Sequence, residues 1–227
     1  MTTLEPLADG LWSWPGRIQL GPVALPRRAV VARLSSGGLW VHSANGLDDA
    51  VRAELEALGP VEHVVAPNKF HHAHLETWRA AYPEAVVHGA QGLAKKRADL
   101  TFDRELTETP DPAWADLFDQ RAITGARKLN EIVFLHRPSR TLILTDLSFH
   151  VGREAPFLTR LMMRMNGVYG RLAPSRLLKA FVDDLPEVRR SVLATIDAWD
   201  FDAVHVSHGE PIASGGREQL RAVWEAL

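Results

Sequence analysis

Residues 61–83 read VEHVVAPNKFHHAHLETWRAAYP, and the order of features inside this stretch decides the fold. Val61–Ala66 is a short, apolar, β-prone run that Pro67-Asn68 brings to a stop. A helix is expected from about His71 to Ala81, with Leu75, Trp78 and Tyr82 on one stripe and Pro83 closing it. His71, His72 and His74 fall where strand gives way to helix. Polar side chains placed just beyond strand C-termini are how open α/β folds build sites, because the loops there converge over the sheet edge.

Upstream, Leu11–Trp14, Ala29–Leu34 and Leu39–His42 read as strands, with Ser35–Gly38 as a hairpin turn. Asp48–Leu58 reads as a helix: Val51, Leu55 and Leu58 share a face, Asp48 caps it and Gly59-Pro60 stops it. Downstream, Ala85–His88 is a strand, and 100–117 is an irregular, proline-interrupted excursion. Glu131–Leu135 and Thr141–Leu147 are strands joined by the HRPSR hairpin of residues 136–140. Residues 155–179 read as helical with a break at Gly167–Gly170, followed by a helix at 186–199, a strand at 203–207 and a helix at 216–226. Strands first, then alternation, then a second hairpin suits an α/β four-layer αβ/βα sandwich. A doubly wound parallel sheet competes, but the two hairpins count against it. All 227 residues are expected in one domain, with a helical insertion or lid at about 155–180.

Composition narrows the function. The net charge of -2 gives no basic field for nucleic acid, and 46% apolar with 24% charged residues is ordinary for a globular protein. The absence of cysteine removes disulfides, thiolate metal sites and a cysteine nucleophile, and it fits a reducing, cytoplasmic setting. No apolar run reaches membrane-spanning length, so no stable membrane insertion is expected. No GxSxG, P-loop or GxGxxG fingerprint occurs.

Asp146, at a strand end in LILTDLSF, and His208, after a strand in VHVSHGEP, complete the candidate set with the three histidines. Imidazole nitrogens with a carboxylate suit one zinc, iron or manganese ion. Their bland alternatives are a packed histidine pocket at 71–74, a loop carboxylate and a turn histidine. The segment from Thr159 to Lys179 carries five basic and no acidic residues, with Met162, Met163 and Met165. It reads first as a solvated basic face over a methionine-lined core, next as a lid over an acidic or apolar substrate, and last as a membrane-surface patch.

Together these residues resemble the metallo-β-lactamase superfamily, and most closely an uncharacterised domain-of-unknown-function branch of it with the runs APN, HH, W, YP, HRPSRTLILTDL and WDFD. In that superfamily an HxHxDH run, a later histidine, a bridging strand-end aspartate and a final histidine hold two metals. The resemblance implies that Asp146 is the bridging aspartate and His208 the final histidine. The first motif has two registers: His72 as its first position, with Glu76 and Thr77 replacing ligands, or Asn68 as its first position, with Phe70 and His72 following. Ala126 stands where the later histidine belongs, and His136 sits at the hairpin turn, away from Asp146. The expected site is therefore His72, Asp146 and His208, assisted by His71 or His74, on one metal. Such a metal would generate a hydroxide nucleophile for ester, amide or phosphoester cleavage, with Asp146 in the catalytic role. The alternative is a metal-free module binding a small-molecule ligand.

Overall fold

The computed structural model describes residues 4–227. Its first sheet has seven strands in chain order: β1 (Glu5–Ala8), β2 (Leu11–Leu20), β3 (Val23–Arg33), β4 (Leu39–His42), β5 (Val61–Ala66), β6 (Val86–Gly89) and β7 (Arg104–Glu105). Pairing is antiparallel from β1 to β4 and parallel from β4 to β7. The second sheet runs β11 (Ala203–Val206), β10 (Thr141–Leu144), β9 (Ile132–His136), β8 (Phe118–Ala122), antiparallel except for the parallel β10–β11 pair.

Period-two alternation divides each strand between two cores. Val31, Val41 and Val64 point outward, against Val51 and Leu55 of α1 (Asp49–Leu58), Leu75 and Trp78 of α2 (Leu75–Ala81) and Leu93 of α3 (Leu93–Lys96). Their neighbours Val30, Trp40 and Val65 point inward and meet Ile132, Phe134 and Ile143 of the other sheet. Val133, Leu135, Leu142 and Val204 then face α5 (Leu185–Ala198) and α6 (Gly216–Glu225). Three apolar interfaces make four layers, helix–sheet–sheet–helix, and the doubly wound alternative is set aside.

The sheets are also stitched by backbone. Ile132 N–H donates to Pro67 C=O at 2.9 Å, Lys69 N–H to Leu129 C=O at 2.9 Å and Arg28 N–H to Ser207 C=O at 2.8 Å. All three bonds lie at the end where β5, β10 and β11 finish.

Several expectations need correction. The expected strands Leu11–Trp14 and Ala29–Leu34 are each longer than expected, because β2 and β3 continue as a two-stranded arm turning at Gly21. Strands β1, β7 and β8 and the short α3 escaped the sequence reading. Helix α2 begins at Leu75, not His71: the Asn68 side chain accepts the N–H groups of Phe70 (2.8 Å) and His71 (2.9 Å), so the histidines lie on turns. The 155–180 segment consists of α4 (Phe157–Met165), an irregular stretch and a 3-10 turn at Arg176–Ala180. It packs on the β2–β3 arm through Leu25, Met163 and Val168. Among the described residues no helix is long and apolar enough to cross a membrane.

Candidate functional site

The C-terminal ends of β5, β10 and β11 bring His71, Asp146 and His208 together, with one donor atom of each within 4.8 Å of the others. His208 Nε2 lies 3.1 Å from Asp146 Oδ1, and His71 Nε2 lies 3.3 Å from Oδ2. The structure thus joins three expected site residues and leaves out two. His72 turns away, its Nδ1 2.6 Å from Arg97. His74 stands against Gly46, outside the cluster. His71, which had been given only an assisting place, takes the position expected of His72, because the turn set by Asn68 points it back over the strand end.

Each member is held by its own local chemistry. Asn68 is fully buried, and its Nδ2 donates to Asp146 Oδ2 at 2.7 Å and to Thr145 Oγ1 at 2.9 Å. Asn68 therefore stands directly at the aspartate, while neither register expected from the sequence gives His71 a ligand position. Glu131, 1% exposed, accepts the N–H groups of Thr145 (2.7 Å), Asp146 (2.7 Å) and Leu147 (3.2 Å), and so fixes the loop carrying the aspartate. After His208, Gly209 has φ +121°, and a Cβ there would sit 1.9 Å from His150 C=O. Glycine alone permits this close turn.

Two hydrogen bonds define the imidazoles. His71 Nδ1 meets the Ser43 hydroxyl. Ser43 has a left-handed φ of +56° at the end of β4, which also aims its C=O at Arg27. His208 Nδ1 lies 2.9 Å from Pro26 C=O. A carbonyl can only accept, so this nitrogen carries the proton. In the neutral ring Nε2 then presents a lone pair to a carboxylate oxygen 3.1 Å away, and two acceptors face each other. The arrangement calls for a cation between them, a second proton or a metal ion. An N–H given to a backbone carbonyl is also how metal-binding histidines are oriented.

Burial shapes the charges. It pushes the His71 imidazole down to about 4 despite the attraction of Asp146, so that ring is neutral near pH 7. Burial opposes ionisation of Asp146, but His71 and His208 overcome it and hold the carboxyl well below the usual carboxylate range. Glu131 moves the other way, to about 7, from burial and the neighbouring aspartate. Burial also lowers Arg27, 2% exposed, to about 10, which leaves it cationic beside Asp146.

The donor set passes the chemical test for a metal. Two imidazole nitrogens and a carboxylate are suitable ligands for zinc, iron or manganese. His208 Nε2 faces Asp146 Oδ1 and His71 Nε2 faces Oδ2, so the carboxylate lies between the two imidazoles and all three side chains converge on one point of the cavity floor. Two positions the resemblance would need for a second ion hold no ligand, since Ala126 is packed in the core against α5 and Thr77 is exposed. His136 pairs with Thr141, at the far end of β10 from Asp146, and its Nδ1 bonds Ser139.

The cluster floors a cavity of about 380 Å³. A larger open hollow of about 460 Å³, beside Tyr82 and Arg52, has no such cluster and is not the site. Sequence reasoning missed three residues here: Asn68 as a hydrogen-bond partner, Glu131 as the loop anchor and Arg27 on the cavity wall. An asparagine two and three residues before orphan N–H groups is a readable turn signal; the other two had none.

Comparison with known proteins bears on the family and the fold. Residues 8–191 match the family described as a domain of unknown function, DUF4336. Among solved structures, a metallo-β-lactamase from Pontibacter korlensis superposes with a TM-score of 0.70 at 10% identity, covering 100% of both chains. One from Erythrobacter litoralis gives 0.71 at 13% identity, over 100% of this chain and 97% of its own. The FIM-1 metallo-β-lactamase of Pseudomonas aeruginosa, in its mono-zinc form, gives 0.69 at 12% identity, over 99% and 95%. At such identities the likeness speaks for the fold, which is that of the metallo-β-lactamases. A search of curated proteins gives no match.

Proposed function

The chain belongs to the DUF4336 family, and on that premise we propose that it is a metal-dependent hydrolase with a single ion held by His71, Asp146 and His208. The observation that carries this reading is His208: its Nδ1 is committed to the Pro26 carbonyl, so its Nε2 is aimed at Asp146 in the orientation a metal-binding histidine takes. When bound, the ion supplies Lewis acidity and brings a nearby water toward neutral pKa, the chemistry of ester, amide and phosphoester cleavage. Asp146 contributes fixed negative charge and a hydrogen-bond acceptor at the reacting position. Asn68 and Glu131 keep that carboxylate from rotating, and neutral His71 offers a lone pair at ordinary pH. A mono-zinc state in the Pseudomonas aeruginosa neighbour is in keeping with one ion on this fold.

A metal-free ligand-binding role is the second reading, and Arg27 favours it. Its buried guanidinium already supplies positive charge beside Asp146, and Asn68 already occupies Oδ2. Elemental analysis of untagged protein, treated with chelator and then offered zinc, iron and manganese, separates the two. The hydrolase reading expects about one ion per chain, lost in His208→Ala and Asp146→Ala and kept in His136→Ala. A metal that binds only the folded chain must also raise its melting temperature. No metal in the wild-type chain and no shift in melting would sink the proposal in favour of the second reading.

A further inference from the structure

The walls of the cavity above Asp146 differ sharply from its floor. They are built from three separate segments: Ile18 and Leu25 on the β2–β3 arm, Met162 and Met163 of α4, and Leu178 at the 3-10 turn. At the rim, Leu20 is 51% exposed, Leu177 53%, Phe181 38% and Phe70 37%, so large apolar side chains ring the entrance. Clustered exposure of this kind marks a surface that an apolar partner covers.

The floor holds the opposite chemistry. Besides the cluster of His71, Asp146 and His208 it presents Arg27. This guanidinium has five N–H donors, yet it makes one long bond, Nη2 to Ser43 C=O at 3.4 Å, and its Nε is buried with no partner. A buried cation with idle donors is costly unless an oxyanion takes them. Asp146 lies close enough to act on it by charge but accepts no hydrogen bond from it.

We infer that the substrate is an amphiphile: an acyl or alkyl chain lying along the apolar walls, with its acid group, carboxylate or phosphate, seated on Arg27. This deepens the hydrolase reading and rests on it for the bond that reacts: an ester, amide or phosphoester bond next to the acid group would lie beside Asp146, and water would split it into an acid and an alcohol or amine. Met162 and Met163 fit such an occupant, because unbranched thioethers adapt to chains of different shape.

Calorimetric titration of the chelator-treated full chain with decanoate, butyrate and decanol tests the inference without any metal. Each methylene buried is worth about fourfold in affinity, so decanoate should bind at least about thirtyfold more tightly than butyrate. It should also bind at least about tenfold more tightly than decanol, a margin that a charge-assisted bond supplies. Leu177→Asp, at a half-exposed position that does not threaten the fold, should weaken decanoate about tenfold. Arg27→Gln, checked for folding by its melting curve, should bring decanoate down to the affinity of decanol. Butyrate binding as tightly as decanoate, or indifference to Leu177→Asp, overturns the chain half. Decanol binding as tightly as decanoate overturns the anion half and makes Arg27 only a counter-charge for Asp146. Chain preference without metal uptake would leave this inference standing and remove the hydrolase; metal uptake without chain preference would do the reverse.

Discussion

Replacing Asn68 by aspartate leaves the side chain's shape alone and removes the amide that donates to Asp146 and Thr145, the contact with Asp146 being the one that gains a repelling charge. Both bonds that the Asn68 oxygen accepts, from Phe70 and His71, survive in Asn68→Asp, and so does the side-chain volume. What changes is the atom 2.7 Å from Asp146 Oδ2, where an amide donor becomes a carboxyl oxygen. Two full charges that close repel by about 6 kcal/mol at an effective dielectric of about 20. The folded pair therefore retains one proton instead of ionising twice. Keeping a proton at pH 7 on a group that titrates near 3.9 when unfolded costs about 1.4 kcal/mol per pH unit, roughly 4 kcal/mol in all. The folded-state pKa is raised, so the variant has near-normal stability below about pH 4 and loses it as the pH climbs. Urea unfolding followed by the fluorescence of the seven tryptophans, in chelator, measures this directly. The variant should lie within about 1 kcal/mol of wild type near pH 4 and about 4 kcal/mol below it near pH 7. Curves that stay parallel across that range would mean that Asn68 does not touch Asp146, and the site as described would be wrong. Zinc should recover most of the loss near pH 7, because a dication between two carboxylates cancels their repulsion. A pH slope without zinc recovery would keep the geometry and remove the metal.

Other perturbations test neighbouring parts of the structure. His136 is 2% exposed and held down to about 4 by burial alone. Its folded pKa lies below the ordinary 6.5, so it costs the wild type stability as the pH falls through that window, on the order of 3 kcal/mol; His136→Gln should flatten the acid side of the stability curve by up to that amount. Gly209→Ala puts a Cβ into the His150 carbonyl, so its melting temperature should drop by the equivalent of about 2–4 kcal/mol, with metal uptake reduced as His208 is displaced. Arg28, 7% exposed, donates to Gly209 C=O at 2.8 Å and to Glu210 at 2.6 Å. Because its carboxylate partners are half-exposed and screened, Arg28→Leu should cost only about 1–3 kcal/mol in urea unfolding.

The layers were legible because alternation and helical stripes carry across the chain: Val51 and Leu55 under Asp48 give α1 almost to the residue. The β2–β3 arm was not, because Pro15, Gly16 and Pro26 read as breakers. Beyond Ser13 on β2, and before Val30 on β3, each strand is paired only with the other. A missing N–H on the free side costs nothing there. Asp146 and His208 were readable from where they stand at strand ends. The choice among His71, His72 and His74 was not, because it depends on the direction of a turn set by a side-chain oxygen, not on spacing. Arg27 and Glu131 gave no sign at all. A lone arginine in a strand and a glutamate before one are ordinary, and only the packing of the second sheet makes them unusual.

The stitching between the sheets has a kinetic meaning. Arg27, Asn68 and His71 belong to the first sheet and its loops, while Glu131, Asp146 and His208 belong to the second. The Asn68–Asp146, His71–Asp146 and His208–Pro26 contacts are therefore clasps between two halves of the molecule, reinforced by the Ile132–Pro67 and Arg28–Ser207 bonds. Parting the halves and dismantling the site are one event. Any occupant of the site must slow that event, and the slowing should register in the hydrogen–deuterium exchange of the Ile132 and Arg28 amides, neither of which needs to touch it.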